Sequence, residues 1–365
     1  MKKVLLLNGF ILLLIAGTFF GIYLSQRSRN HFYKGNNKRI HFVGRFSFTE
    51  ETAEVSAPGA YFEFRFDGER CELQLQDEVL YGMVHNYINI QLDGKDYNRI
   101  KLDRKLNRIV IHALGKGIHT VKVSKDTETK MGRISLLGIS CRELLRYKPK
   151  KKKLFEFIGD SMTCGNGADL SGVSCDEGEW YDQHNASHNY ASIVASYFDA
   201  DYRLSAVSGI GVTKSCCGLK KTMPEVYFKT EFNENLPTVN FKDYESPDAV
   251  FFTLGQNDGS GVGEYFIQTY TRFIKRVSKL YPNAIIVLCS SPMAQKQQLV
   301  DLKLALKQVK QRVEKSIKST VLFYPYKNTY RSGCKFHPTL TQHKLMAKEL
   351  IHFLRSTHSG QVFNH

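Results

Sequence analysis

The chain has 365 residues, 42% of them hydrophobic and 24% charged, with 51 Lys and Arg against 35 Asp and Glu, giving a formal net charge of +16. This length allows two domains with a core each, and the composition is ordinary for a globular protein. A basic surface attracts anionic partners, but the lysines are scattered and no zinc-finger or RNA-binding signature accompanies them, so nucleic acid is not an expected partner.

Lys2 and Lys3 precede an apolar stretch over residues 4–24, about the length needed to cross a bilayer. Residues 1–24 therefore read as a signal peptide or signal anchor. Apolar residues continue past Ala16-Gly17 through Phe19, Phe20, Ile22 and Tyr23, which favours an uncleaved anchor. Arg27, Arg29, Lys34, Lys38 and Arg39 place still more positive charge on the far side, so a count of basic residues alone would keep the chain in the cytoplasm. A short basic start followed by an apolar run is also a start-transfer signal. We expect an extracytoplasmic chain, periplasmic or secreted, tethered to the membrane through residues 25–38.

From residue 39 to 146 the pattern has period two. Phe62, Phe64 and Phe66 alternate with Glu63, Arg65 and Asp67, and Ile88, Ile90 and Leu92 alternate with Asn89 and Gln91. Turn signals stand at Pro58-Gly59, Asp67-Gly68, Asp93-Gly94 and Gly115-Lys116-Gly117. Many short alternating strands with regular turns predict a β-sandwich. No nucleophile and base are visible there, so this region is expected to be an accessory domain. Residues 147–153, which carry the only dense lysine run, read as a basic linker.

Residues 154–358 differ. Apolar runs at 154–158, 204–207, 249–254, 284–288 and 321–324 read as buried strands. Helical patterns lie between them: Tyr190, Ile193, Val194, Tyr197 and Phe198, with Asn185 or Ser187 as a cap, then Phe266, Tyr270, Phe273, Ile274 and Val277. This alternation predicts a mostly parallel sheet with helices on both faces, whose site forms at the carboxyl ends of the strands. The loop from Gly165 to His184 is long and polar and holds the only tryptophan, Trp180, beside Tyr181. Such a loop is often a lid or a binding wall.

Eight cysteines follow the apolar segment, an even count that permits disulfides. Cys164 and Cys175 flank the polar loop and could staple it, or all eight could be buried free thiols. None has zinc-site spacing.

Four pieces occur in order: Gly159-Asp160-Ser161, Ser208-Gly209, Gly255-Gln256-Asn257-Asp258 and His337-Pro338. Acyl transfer needs a nucleophile, oxyanion donors and a general base. Ser161 follows a strand and a glycine, so its hydroxyl can project from the sheet edge. Gly209 can bring its N–H close because it lacks a Cβ, and Asn257 offers an amide, each such donor contributing about 2.7–4 kcal/mol. His337 stands just before the last helix pattern, and His343 is the weaker candidate base. His184 and His188, with Asp182 nearby, could form a metal pair, but no zincin motif accompanies them.

These four blocks resemble those of SGNH (GDSL-type) hydrolases, and Ser161, Gly209, Asn257 and His337 match the four named positions. With the preceding β-sandwich, Gly44-Arg45, Thr127-Glu128, Ser208-Gly209-Ile210-Gly211-Val212 and Gly333-Cys334-Lys335-Phe336-His337-Pro338, the chain is similar to carbohydrate esterase family 2, the acetyl xylan esterase-like enzymes. The resemblance implies a flavodoxin-like α/β SGNH fold behind a small jelly-roll sandwich. It also implies a carbohydrate O-acetyl esterase with no metal or organic cofactor. Ser161 and His337 would be catalytic, and the oxyanion hole would be Ser161, Gly209 and Asn257. Wider SGNH enzymes carry Asp three residues before the histidine. Here that residue is Cys334, so a Ser–His dyad with a backbone carbonyl orienting the ring is expected, and Asp258 is not expected to substitute. Trp180 or Tyr181 could stack on a sugar, or each could pack the loop. Alternatives are an esterase acting on acetylated envelope glycans, lipopolysaccharide or peptidoglycan, and an idle carbohydrate-binding protein.

Overall fold

The computed structural model describes residues 30–147, 149–150, 152–357 and 360–363. The expected signal segment, residues 1–24, lies outside them. No helix among the described residues is long and apolar enough to cross a membrane.

The first half is antiparallel: β1 (His31–Lys34), β2 (His41–Val43), β3 (Ser47–Phe48), β4 (Ala53–Val55), β5 (Tyr61–Asp77), β6 (Tyr87–Leu92), β7 (Lys95–Lys101), β8 (Leu106–His112), β9 (Ile118–Lys125) and β10 (Ile134–Leu145). The long strand β5 organises them. Its first half pairs with β2 and β9, its second half with β8, and β10 runs beside most of its length. Gly68, at φ +134°, sits where the partners change. Phe62, Phe64, Phe66, Leu73 and Leu75 are buried, as the period-two reading expects. β1 falls within the stretch expected to be a tether. It forms because β10 offers a free edge, pairing Phe32 with Ser140 and Tyr33 with Ile139.

The second half carries the parallel sheet, in the order β12-β11-β13-β14-β15, from β11 (Lys153–Gly159), β12 (Ala200–Ala206), β13 (Ala249–Thr253), β14 (Ile285–Cys289) and β15 (Val321–Tyr324). The order reverses direction at β11, and such switch points open a crevice at the strand ends. Helices α1 (Tyr190–Tyr197), α2 (Met223–Val226), α3 (Glu264–Leu280), α4 (Lys296–Glu314) and α5 (Leu340–Ser356) cover the faces. The cap of α1 is Asn189, whose side chain accepts from Ala191 and Ser192 N–H, and not Asn185 or Ser187. Asn185 instead caps the short 3-10 turn before it.

The two halves share apolar packing, and a buried charge group joins them. Glu156 on β11 accepts from Arg203 Nη2 at 2.7 Å, Ser205 Oγ at 2.6 Å and Tyr227 OH at 3.1 Å, while Arg45 of the sandwich stands 3.4 Å away. Burial works to raise the Glu156 pKa, but Arg203 and Arg45 outweigh it and hold it below the usual carboxylate range. Gly59 lies so close to Leu204 that a Cβ there would come within 2.6 Å of it.

Removing one partner of a buried pair strands the other. Arg203→Met should lower unfolding free energy by about 3–5 kcal/mol in denaturant titration, whereas the exposed Arg104→Met should leave it nearly unchanged.

Candidate active site

Ser161 lies two residues past the end of β11 and is 6% exposed. The turn behind it is fixed by Asp160, which accepts from Met162 N–H at 3.2 Å, and by Asn166 N–H donating to Ser161 O at 3.0 Å. A Cβ on Gly159 would collide with Thr163, so this turn needs a glycine there. Asp160 is wholly buried, and burial followed by the neighbouring Asp258 charge pushes its pKa up to about 7.

His337 Nε2 lies 2.9 Å from Ser161 Oγ, although the two are 176 residues apart. His337 Nδ1 lies 3.1 Å from the carbonyl oxygen of Cys334. A carbonyl can only accept, so Nδ1 carries the proton and Nε2 presents its lone pair to the serine hydroxyl. The position where wider SGNH enzymes have an aspartate thus acts through its backbone. Burial lowers the His337 pKa. The Cys334 carbonyl works against that, and His184 adds to it.

The histidine loop is held from several sides. Lys335 and Phe336 take left-handed conformations, at φ +49° and +60°, which turn the Cys334 carbonyl back toward its own loop. Cys334 N–H donates to Gly167 O at 3.2 Å, and Gly333 N–H donates to His337 O at 2.6 Å. Gly167, at φ +65°, passes so close that a Cβ would lie 2.6 Å from Cys334 O. A disulfide joins Cys334 to Cys175 in the polar loop. The staple is therefore 175–334 and not 164–175. Cys164 is a buried thiol whose S–H donates to Glu128 Oε2 at 3.5 Å.

The Gly209 N–H and the Ser161 N–H have no hydrogen-bond partner among the described residues. Gly209 has φ +82°, and Cys216, disulfide-bonded to Cys217, packs where its Cβ would be. Asn257 follows β13 and donates from Nδ2 to Ile210 O at 2.9 Å and more weakly to Asp160 Oδ2 at 3.4 Å. Asp258 is used elsewhere: it accepts from the N–H groups of Val212, Thr213 and Lys214 and so shapes the loop after Gly209.

The remaining candidates disperse. His343 is fully buried, accepts from Tyr190 N–H at 3.2 Å and has its pKa lowered to about 3 by burial. His188 turns to Asn89 and Asp96, while His184 lies buried 3.9 Å from Glu128, so the two do not converge. Tyr181 is 2% exposed and packs with Tyr87 and Met131, as its loop-packing alternative expects. Trp180 stands edge-on to His184 at 5.0 Å and is partly exposed.

Sequence reasoning missed two residues of the segment between β9 and β10. Glu128 Oε2 accepts from Ser208 N–H at 2.6 Å, and Lys130 Nζ donates to Ser208 O at 2.7 Å. Burial acts to raise the Glu128 pKa, but His184, Lys130 and the Ser208 N–H bring it down to about 2. Thr127-Glu128 is visible in the sequence as part of a family likeness, but its polar run Lys125–Lys130 has the look of a surface turn, whereas Lys125, Asp126, Thr127 and Glu128 are fully buried.

Comparison with known proteins gives the same outline. A family model described as GDSL-like Lipase/Acylhydrolase matches residues 155–350, and one described as Carbohydrate esterase 2 N-terminal matches residues 42–149. An acetylxylan esterase / glucomannan deacetylase of Cellvibrio japonicus is 26% identical over 319 residues, covering 82% of this chain and 84% of that protein. A second protein of that name and organism is 25% identical over 361 residues, covering 95% and 98%. The structure of a family two carbohydrate esterase from Clostridium thermocellum, in complex with cellohexaose, superposes with a TM-score of 0.77 at 25% identity, covering 87% of this chain and 98% of that one.

A base with a lowered pKa stays neutral further into acid. The kcat/KM for 4-nitrophenyl acetate should be level near neutrality and fall along a single acid limb centred below the ordinary histidine value of 6.5. A limb centred above 6.5 would show that His337 is not the titrating base.

Proposed function

The chain belongs to the GDSL-like lipase/acylhydrolase family, and from that footing we propose that it is a carbohydrate O-acetyl esterase working through a Ser161–His337 dyad. The observation that carries the reading is the pair of contacts on His337, 2.9 Å to the Ser161 hydroxyl and 3.1 Å to the Cys334 carbonyl. One contact activates the serine and the other fixes the tautomer. The two acetylxylan esterase / glucomannan deacetylase relatives and the family two esterase structure support an acetylated polysaccharide as substrate.

In this reading Ser161 Oγ attacks the acetyl carbonyl while His337 Nε2 takes its proton. The Ser161 N–H, the Gly209 N–H and the Asn257 amide hold the oxyanion, the Asn257 hydrogen now on the weak Asp160 contact being the one released. His337 protonates the departing sugar hydroxyl, leaving an acetyl-serine. Water then attacks this ester with His337 as base, and acetate leaves. The Cys334 carbonyl steadies the imidazolium without adding a charge. Trp180, partly exposed on the polar loop, is the side chain suited to a sugar face.

We assign the chain to an extracytoplasmic site, anchored by residues 1–24, with the sandwich over 39–146 and the hydrolase over 154–358. The apolar N-terminal segment and the Cys175–Cys334 disulfide support this, since disulfides persist in oxidising compartments. The same segment and the net charge of +16 favour a second substrate, acetylated glycan of the cell's own envelope.

Acetate release across acetylated xylan, glucomannan and envelope glycans should identify the preferred polymer. Ser161→Ala should abolish release, and Asn257→Ala should lower kcat by about 10²–10³. Full activity in Ser161→Ala would refute the dyad, and a wild-type protein that binds these polymers without releasing acetate would be a binding module.

A further inference from the structure

The oxyanion loop is gripped by the other half of the chain. Lys130, on the segment between β9 and β10, donates to the carbonyl oxygen of Ser208 at 2.7 Å. That carbonyl belongs to the same peptide unit as the Gly209 N–H. The chain has no cis peptide among its described residues, so within this planar unit the N–H points opposite to the C=O. Wherever Lys130 holds the oxygen, it aims the Gly209 N–H the other way. A cation on the carbonyl also draws electrons from the amide and makes its N–H a stronger donor.

The preceding peptide unit is held too. Ser208 N–H donates to Glu128 Oε2 at 2.6 Å, and Asn166 Nδ2 donates to Ser208 Oγ at 3.4 Å. Glu128 is in turn fixed from below: the buried Lys125 ammonium donates to the carbonyls of Thr127 and Glu128 at 2.8 and 3.0 Å. On the far side, Cys216 N–H donates to Gly209 O at 2.8 Å. The sandwich therefore contributes two opposite charges, one to each side of Ser208.

We propose that Lys130, supported by Glu128, is a positioning residue of the esterase: it orients and polarises the Ser208–Gly209 peptide so that the Gly209 N–H meets the oxyanion. The proposal rests on the esterase reading above. It assigns to the sandwich a part in the chemical step, besides any part in holding polymer.

The test uses the full chain with Lys130→Met, Lys130→Gln and Lys130→Arg, and with Ser161→Ala as the control. Lys130 is partly exposed, so Lys130→Met should fold, and its thermal unfolding is recorded beside its kinetics. On 4-nitrophenyl acetate, Lys130→Met should lower kcat by about tenfold or more with KM little changed, the pattern of a lost transition-state interaction. Lys130→Arg and Lys130→Gln, which keep an N–H donor, should fall between it and the wild type. Affinity for a trifluoromethyl ketone, which adds to the serine as a tetrahedral oxyanion, should drop by the same factor as kcat/KM. A merely structural role would lower the unfolding temperature and leave that parallel absent. A Lys130→Met protein with kcat within about twofold of wild type, or with its whole loss in KM, overturns the proposal while the esterase reading stands. Full activity in Ser161→Ala overturns both.

Discussion

The site depends on one hydrogen bond, from His337 Nδ1–H to the carbonyl of Cys334. An acceptor that can never donate decides which ring nitrogen carries the proton, and with it whether a lone pair faces the serine. In a serine protease triad, the wrong tautomer costs about 10⁴ in rate. Here a peptide dipole does the orienting that a carboxylate does elsewhere. The backbone must then be bent to bring the carbonyl round. Two successive left-handed residues, Lys335 and Phe336, make that bend, each at a cost of about 1–2 kcal/mol, and the polar loop holds it through Gly167 and the 175–334 disulfide.

A second consequence concerns the division of the chain. The sandwich resembles an accessory module in its sequence, since no nucleophile–base constellation is visible in it. Its contacts are more intimate than that. Arg45 completes the buried group around Glu156, and Glu128 and Lys130 grip Ser208 beside Gly209. The buried ion pairs around Glu156 contribute little net stability, because desolvation offsets attraction. The Glu128 and Lys130 contacts tie the two halves together next to Ser208 and Gly209.

Much of this was legible in the sequence, for identifiable reasons. Strands betray themselves by period and by continuous apolar runs, so β5 and the five parallel strands stand out. Ser161, Gly209, Asn257 and His337 are legible because each closes a strand or precedes a helix, in an order that acyl transfer uses. Pairing of cysteines is a three-dimensional matter, and neither the spacing of Cys164 and Cys175 nor that of Cys175 and Cys334 reveals it. Glu128 and Lys130 escaped for a similar reason. A polar run after a strand ordinarily faces water, and the approach of residues distant in sequence, among them Asn86, Cys164, Ser187 and Ser208, makes it interior. The cap of α1 was misplaced because three Asn and Ser residues compete within five positions, and local sequence does not rank them.

The disulfide between the polar loop and the histidine loop spans 159 positions, and its second cysteine lies just before the last helix. In a growing chain the turn at Ser161 and the polar loop with Cys175 are made long before Cys334. The bridge that joins these two loops can therefore close only after nearly the whole chain has been made.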